Sequence, residues 1–171
     1  MTLRRVTESS VFPVTLDEAK SQCIVNFSDD DELLGFYIQT ANEAIGEDAG
    51  MVLGEEEWEL TVSDLLPDDE VALTPIPVSG LVSVNGDTDV SAYTLSIDGD
   101  CATVTGAWPE GDVVIVFSVG GSVPVGLKHA MLMLIGHWYK NRSGTSDGAV
   151  MEIPYSIESH VARHRRGWVK A

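Results

Sequence analysis

Basic residues are nearly missing from most of this chain: residues 6–127 carry 24 acids and a single base, Lys20. A surface that grips a nucleic-acid backbone is thereby excluded over that stretch, because phosphate binding rests on Lys and Arg displacing counterions. Cysteine is almost as scarce. Cys23 and Cys101 lie far apart, with no CxxC and no Cys/His partner at metal spacing, so neither a disulfide framework nor a zinc module is expected. Both read as small buried hydrophobes. Long apolar runs are missing too: the longest, Ala130 to Ile135, has six residues, against about 20 for a membrane-spanning helix. The start, Met1-Thr-Leu-Arg-Arg-Val, has a basic pair with no apolar block behind it, which does not read as a secretory signal. Synthesis and folding in the cytoplasm are the expectation.

What is present describes a folded chain. It has 171 residues, of which 44% are hydrophobic and 22% charged, and a mean hydropathy of +0.07. A disordered chain would carry far less apolar material, and this length suits one domain, or one core with a sizeable insertion. The net charge of −17 is unevenly distributed. Residues 128–171 hold seven bases against Asp147, Glu152 and Glu158, so the chain reads as an acidic body with a basic end.

Periodicity divides the chain into three parts. Thr15-Leu-Asp-Glu18 fits a capping box, in which hydroxyl and carboxylate satisfy each other's orphan backbone donors, and predicts a short helix over about 15–26. Asp29 can cap a second helix over about 30–49, where Leu34, Ile38, Ala41 and Ile45 recur at helical spacing and Asp30 to Glu32 oppose the positive end of the dipole. From Glu57 the period becomes two. Trp58, Leu60 and Val62 begin a series of β-branched segments at 71–73, 81–84, 93–97, 101–105 and 113–119, with Asp98-Gly99-Asp100 at hairpin distance. A small antiparallel sheet or open barrel over about 57–119 follows. Helical signals return at Val123-Pro124 and run to Arg142. That helix, about 123–142, is apolar nearly all round, as a helix packed on several sides should be. A small polar loop leads to a last helix, about 156–166, whose evident apolar pair is Ile157 and Val161. The expected fold is α+β, a single domain over 1–171: a helical core with an inserted β subdomain and a basic tail over 163–171.

Chemistry is thinly represented. His129, Met133 and His137 share a helical stripe, and His160 and His164 are four apart, a spacing that can chelate a metal. HExxH is absent and no carboxylate or cysteine stands at ligand spacing, so core and surface histidines are expected. The acid clusters 29–32, 55–57 and 68–70 complete no calcium loop, and in Asn85-Gly-Asp-Thr-Asp89, the nearest approach, Ala92 stands where the central glycine would be. Val119-Gly120-Gly121 is a turn and not a phosphate cradle, there is no G-x-S-x-G elbow, and no cofactor is called for.

The order of the parts carries the strongest signal. Val14-Thr-Leu-Asp-Glu-Ala-Lys20, the acidic helix entry, Glu57-Trp-Glu-Leu60, Leu73-Thr-Pro-Ile-Pro-Val78, Ala92-Tyr93, Val123-Pro124, His137-Trp-Tyr-Lys-Asn-Arg142 and Ile153-Pro-Tyr155 form a colinear series. Over about residues 11–165 it resembles the head-tail connector, or adaptor, proteins of tailed bacteriophages. The resemblance implies a non-enzymatic virion protein of the particle neck, assembled as a twelve-fold ring under the portal around the DNA exit channel, with portal and tail-side neck or stopper proteins as partners. Double-stranded DNA would pass through the lumen without specific binding, eased by like charge. A gene transfer agent could use the same part. An acidic DNA-mimic inhibitor and a small hydrolase are the competing classes; the first would have no use for a cationic end, and the second lacks a paired acid and base. For the end of the chain, His164-Arg-Arg-Gly-Trp-Val-Lys170, the resemblance gives no counterpart. From their chemistry alone, Arg163, Arg165, Arg166, Trp168 and Lys170 are expected to dock on an acidic groove of the portal, since Arg and Trp are enriched among interface anchors.

Overall fold

A computed structural model describes residues 1–67, 69–99, 101–142 and 155–165. In chain order the elements are β1 (Thr2–Thr7), α1 (Leu16–Cys23), α2 (Asp31–Ala49), β2 (Glu56–Val62), β3 (Val71–Ala72), β4 (Val78–Val84), β5 (Tyr93–Asp98), β6 (Cys101–Gly106), β7 (Val113–Val119), α3 (Val125–Lys140) and α4 (Tyr155–Ala162). The fold is α+β, with four helices and two small antiparallel sheets among the described residues. The chain divides into two compact units, Met1–Val11 with Gly54–Ser122 and Phe12–Leu53 with Val123–Ala171.

Helix boundaries in the second unit follow side-chain chemistry. At α1 the capping box forms as the sequence implies: the Glu18 N–H donates to Thr15 Oγ1 at 3.3 Å and the Thr15 N–H to Glu18 Oε2 at 2.9 Å. The helix stops at Cys23, three residues before the expected end, because Ile24 turns into the left-handed region at φ 58° and its successor's N–H closes on the Lys20 carbonyl. α2 ends at Gly50, a left-handed cap. Its expected cap also differs: Asp30 occupies the N-cap, and its side chain makes no capping bond.

α3 is apolar on several sides because it has a neighbour on three of them. Lys128, Leu132 and Gly136 face α1, where Lys128 pairs with Glu18 at 2.6 Å, Leu132 shares a depression with α1 residues, and Gly136 lies beside Gln22. Trp138 meets Tyr37 of α2, ring centres 5.8 Å apart. His129 meets His160 of α4 edge-on at 5.3 Å. Leu127, Ala130, Met131, Leu134 and Ile135 are buried between them with Leu34, Ile38, Ala41 and Ile45 of α2, and the apolar pair of α4, Ile157 and Val161, is fully buried in the same core.

The first unit contains the strands in two sheets, ordered β1-β2-β7-β4 and β3-β6-β5. β7 shows period two directly: Val113, Ile115, Phe117 and Val119 are buried while the residues between them are half-buried. In the second sheet Ala102 and Val104 are buried with Val71, Leu73 and Trp108, whose Nε1–H donates to the Asp69 carbonyl at 2.8 Å. β5 and β6 form the expected hairpin, Asp98 opposite Cys101, with Gly99 at φ 60°.

β1 has no counterpart in the sequence periodicity. It pairs with β2 through a register shift between Arg5 and Thr7, and all six of its residues are exposed, so no buried face marks it in the sequence. Cross-strand charge secures it: Arg4 is bidentate on Glu59 (2.9 and 3.0 Å) and Arg5 reaches Glu56 and Glu8. The cysteines also depart from expectation. Cys101 is exposed at the start of β6, and Cys23 is half-buried, its thiol pushed up by burial.

Candidate assembly surfaces

The charge separation of the sequence is partly undone by folding. Because α3 and α4 pack on α1 and α2, bases from the cationic end meet acids of the body: Lys128 with Glu18, Arg142 with Asp30, and Arg165 with Asp48. Lys20 joins Asp31 across the α1–α2 connection at 2.6 Å. Each of these pairs ties one helix, or the residues at its end, to another. The Asp30 cluster is the densest. Its Oδ2 accepts from Arg142 Nη2 and from the Tyr139 hydroxyl, both at 2.6 Å, and the guanidinium lies over the Tyr139 ring at 4.1 Å. The Arg142 bond, then the Tyr139 bond, hold the Asp30 carboxyl below the usual range, and Asp30 in turn raises both partners. Glu18 is lowered chiefly by Lys128 and then by the Thr15 backbone.

The remaining acid clusters have local uses. Glu56 accepts from Trp58 Nε1 at 2.9 Å and Glu57 from Thr7, while the Asp69 carboxylate accepts the Leu66 N–H at 2.8 Å. The calcium-like stretch at Asn85 is a tight turn. Asn85 and Gly86 both have positive φ, Val84 bridges Asp87, and Asn85 Oδ1 accepts the Val114 N–H at 2.7 Å. Among the described residues no three His, Cys, Asp or Glu side chains converge in a way that could hold a metal. An open depression of about 420 Å³ between α1 and α3 is lined by Asp17, Glu18, Ser21, Gln22 and Leu132. No helix of the described residues is long and apolar enough to cross a membrane.

Of the five residues expected to dock on a portal, Arg166, Trp168 and Lys170 lie outside the described residues. Arg163 is exposed just beyond α4. Arg165 donates to the Asp48 carbonyl at 3.1 Å and to its carboxylate, so it already has an internal partner. The histidines split: His129, His160 and His164 gather where α4 crosses the start of α3, whereas the His137 carbonyl accepts from Asn141 at the other end. Sequence reasoning missed the clamps on Asp30 and Glu18, although acids at helix starts facing a cation-rich helix were the available signal.

These side chains define a small α+β protein in which four ion pairs position the helices among the described residues. The profile of the phage gp6-like head-tail connector proteins matches residues 13–75 and 107–165, and the chain belongs to that family. It is a structural protein of the virion neck, joining head to tail. No curated protein sequence matches it. Among the solved structures similar along the whole chain are the neck of an empty GTA particle computed with C6 symmetry (TM-score 0.75, 20% identity), the neck of a native GTA particle computed with C12 symmetry (0.70, 21%) and the virion of a native gene transfer agent particle (0.68, 23%). Each match covers 100% of this chain and 98% of the other.

Proposed function

We propose that the protein is a non-catalytic ring component seated on the portal, with copies arranged twelve-fold around the DNA exit channel and a tail-side neck or stopper protein below. The observation that carries this reading is the similarity over the full chain to neck structures computed with C6 and C12 symmetry, in a family of head-tail connectors. Acidic side chains of the body face the passage, where like charge keeps DNA from adhering. Screening over about 8 Å at physiological salt limits this effect to carboxylates close to the lumen. The end of the basic tail, with Arg166, Trp168 and Lys170, forms the portal contact, while Arg165 is held on Asp48. Electron microscopy of the purified protein, alone and mixed with its portal, tests the reading: rings with an acidic lumen on the portal support it, and a monomer that ignores the portal, or a ring with a mainly basic lumen, refutes it.

A further inference from the structure

The outer face of α2 carries a side chain that the fold does not use. Leu34, Ile38, Ala41 and Ile45 face the core, and on the opposite side Glu32, Phe36, Gln39 and Glu43 follow one another at helical spacing. Among these polar neighbours Phe36 is 63% exposed. It is also braced. Its ring lies 6.3 Å from Tyr37, which meets Trp138 at 5.8 Å, and both of those pack against the core. A braced, exposed aromatic loses little conformational freedom on contact, the property of an interface anchor.

Gly35, beside it, supplies a second and independent observation. A Cβ placed there would meet nothing within 4 Å, and its backbone is not in the left-handed region. Nothing among the described residues requires glycine at a position where it weakens a helix relative to alanine. Close approach by another molecule would require it.

The charge around Phe36 selects the partner. Glu32 and Glu43 are exposed, and no base among the described residues pairs with them. Two copies meeting α2 to α2 would set acid against acid, so the opposing surface must be a different one that carries a cation. Trp138, near the end of α3, lies beside Tyr37, and this chain offers such a surface at the start of α3, a helix about 24 Å long. There Val125 is 84% exposed, His129 is exposed, and Arg163, without an ion-pair partner among the described residues, follows α4 beside His164, whose ring lies against Gly126. Two unlike, complementary patches at opposite ends of one unit are what a head-to-tail contact needs, and such contacts form a ring when the rotation from copy to copy closes.

We infer that Gly35 and Phe36 of one copy, flanked by Glu32, pack on the Val125, His129 and Arg163 surface of the next copy. The inference rests on the ring reading and assigns its subunit contact. The test compares ring assembly of the full chain, alone and on its portal, by electron microscopy and mass photometry, with thermal unfolding of the unassembled chain. Gly35→Ala should raise the unfolding midpoint by about 2 °C and still weaken ring assembly at least about tenfold. Phe36→Ser should weaken assembly similarly. Glu32→Arg and Arg163→Glu should each impair assembly, and the double variant should restore it, which loss of a portal contact by Arg163 alone could not produce. Variants that assemble like the natural protein, or that keep rings while losing the portal, overturn the inference and leave the ring reading standing. A natural protein that forms no ring even on its portal refutes both.

Discussion

Arg142 reaches back from beyond the end of α3 to place Nη2 2.6 Å from Oδ2 of Asp30, at the start of α2. The pair holds together the two helices that contribute most of the helical core. Asp30 thereby gives up the capping role its position offers, since its side chain makes no capping bond.

Arg142→Met should lower the unfolding midpoint, and the loss should depend on pH in a defined sense. The folded Asp30 carboxyl lies below its unfolded value. Its contribution is therefore complete above the unfolded value of about 3.9 and is lost as pH falls through the folded one. The gap between natural protein and variant should narrow below about pH 4. Tyr139→Phe should show the opposite dependence. The folded phenol is raised, so its contribution is complete below about 10 and is lost at higher pH. Thermal unfolding across pH measures both; gaps that do not change with pH would show that the cluster is idle.

Gly120 follows β7 at φ 83°, and a Cβ there would overlap the Gly54 carbonyl oxygen. Gly120→Ala should cost about 2–4 kcal/mol. Urea unfolding followed by Trp fluorescence reads the loss, and an unchanged midpoint would mean that the Gly54 segment moves aside freely.

Ile24 is a β-branched residue in the left-handed region and is 85% exposed. Its side chain contributes little burial to offset the strain. Ile24→Asn keeps the cap of α1 and should stabilise the protein by about 0.5–1 kcal/mol. A destabilised variant would mean that the exposed side chain has a use within the fold.

Period and order make the helices and six of the strands legible in the sequence alone: α2 through its apolar spacing, β7 through its alternation, α1 through Thr15 and Glu18. β1 is hidden because all six of its residues are exposed and leave no alternating pattern, and the ion pair that crosses from it to β2, Arg4 on Glu59, joins residues 55 apart in sequence. The early stop of α1 at Ile24 is hidden for a different reason, since no propensity places isoleucine in that conformation. The contact surfaces are half legible. The cationic end can be read as charge, but three of its bases turn inward onto Glu18, Asp30 and Asp48, and only packing reveals that. In the sequence Phe36 is one more residue of an amphipathic helix; its exposure is a property of how α2 packs.

Removal of residues 163–171 should leave the helical unit folded, because Ile157 and Val161 remain in the core. Binding to the portal should weaken at least about tenfold and lose part of its salt dependence. Affinity at two salt concentrations, alongside circular dichroism, checks this; unchanged affinity in a folded truncation would dismiss the docking role.

The central claim is that this protein joins heads to tails, and the direct measurement is complementation of particles made without it. Filled heads and free tails from a producer lacking only this chain are mixed with the purified protein, and joined particles are counted by electron microscopy. The account predicts heads without tails before addition and joined, infective or transfer-competent particles after it. Particles that join equally well without the protein would contradict it.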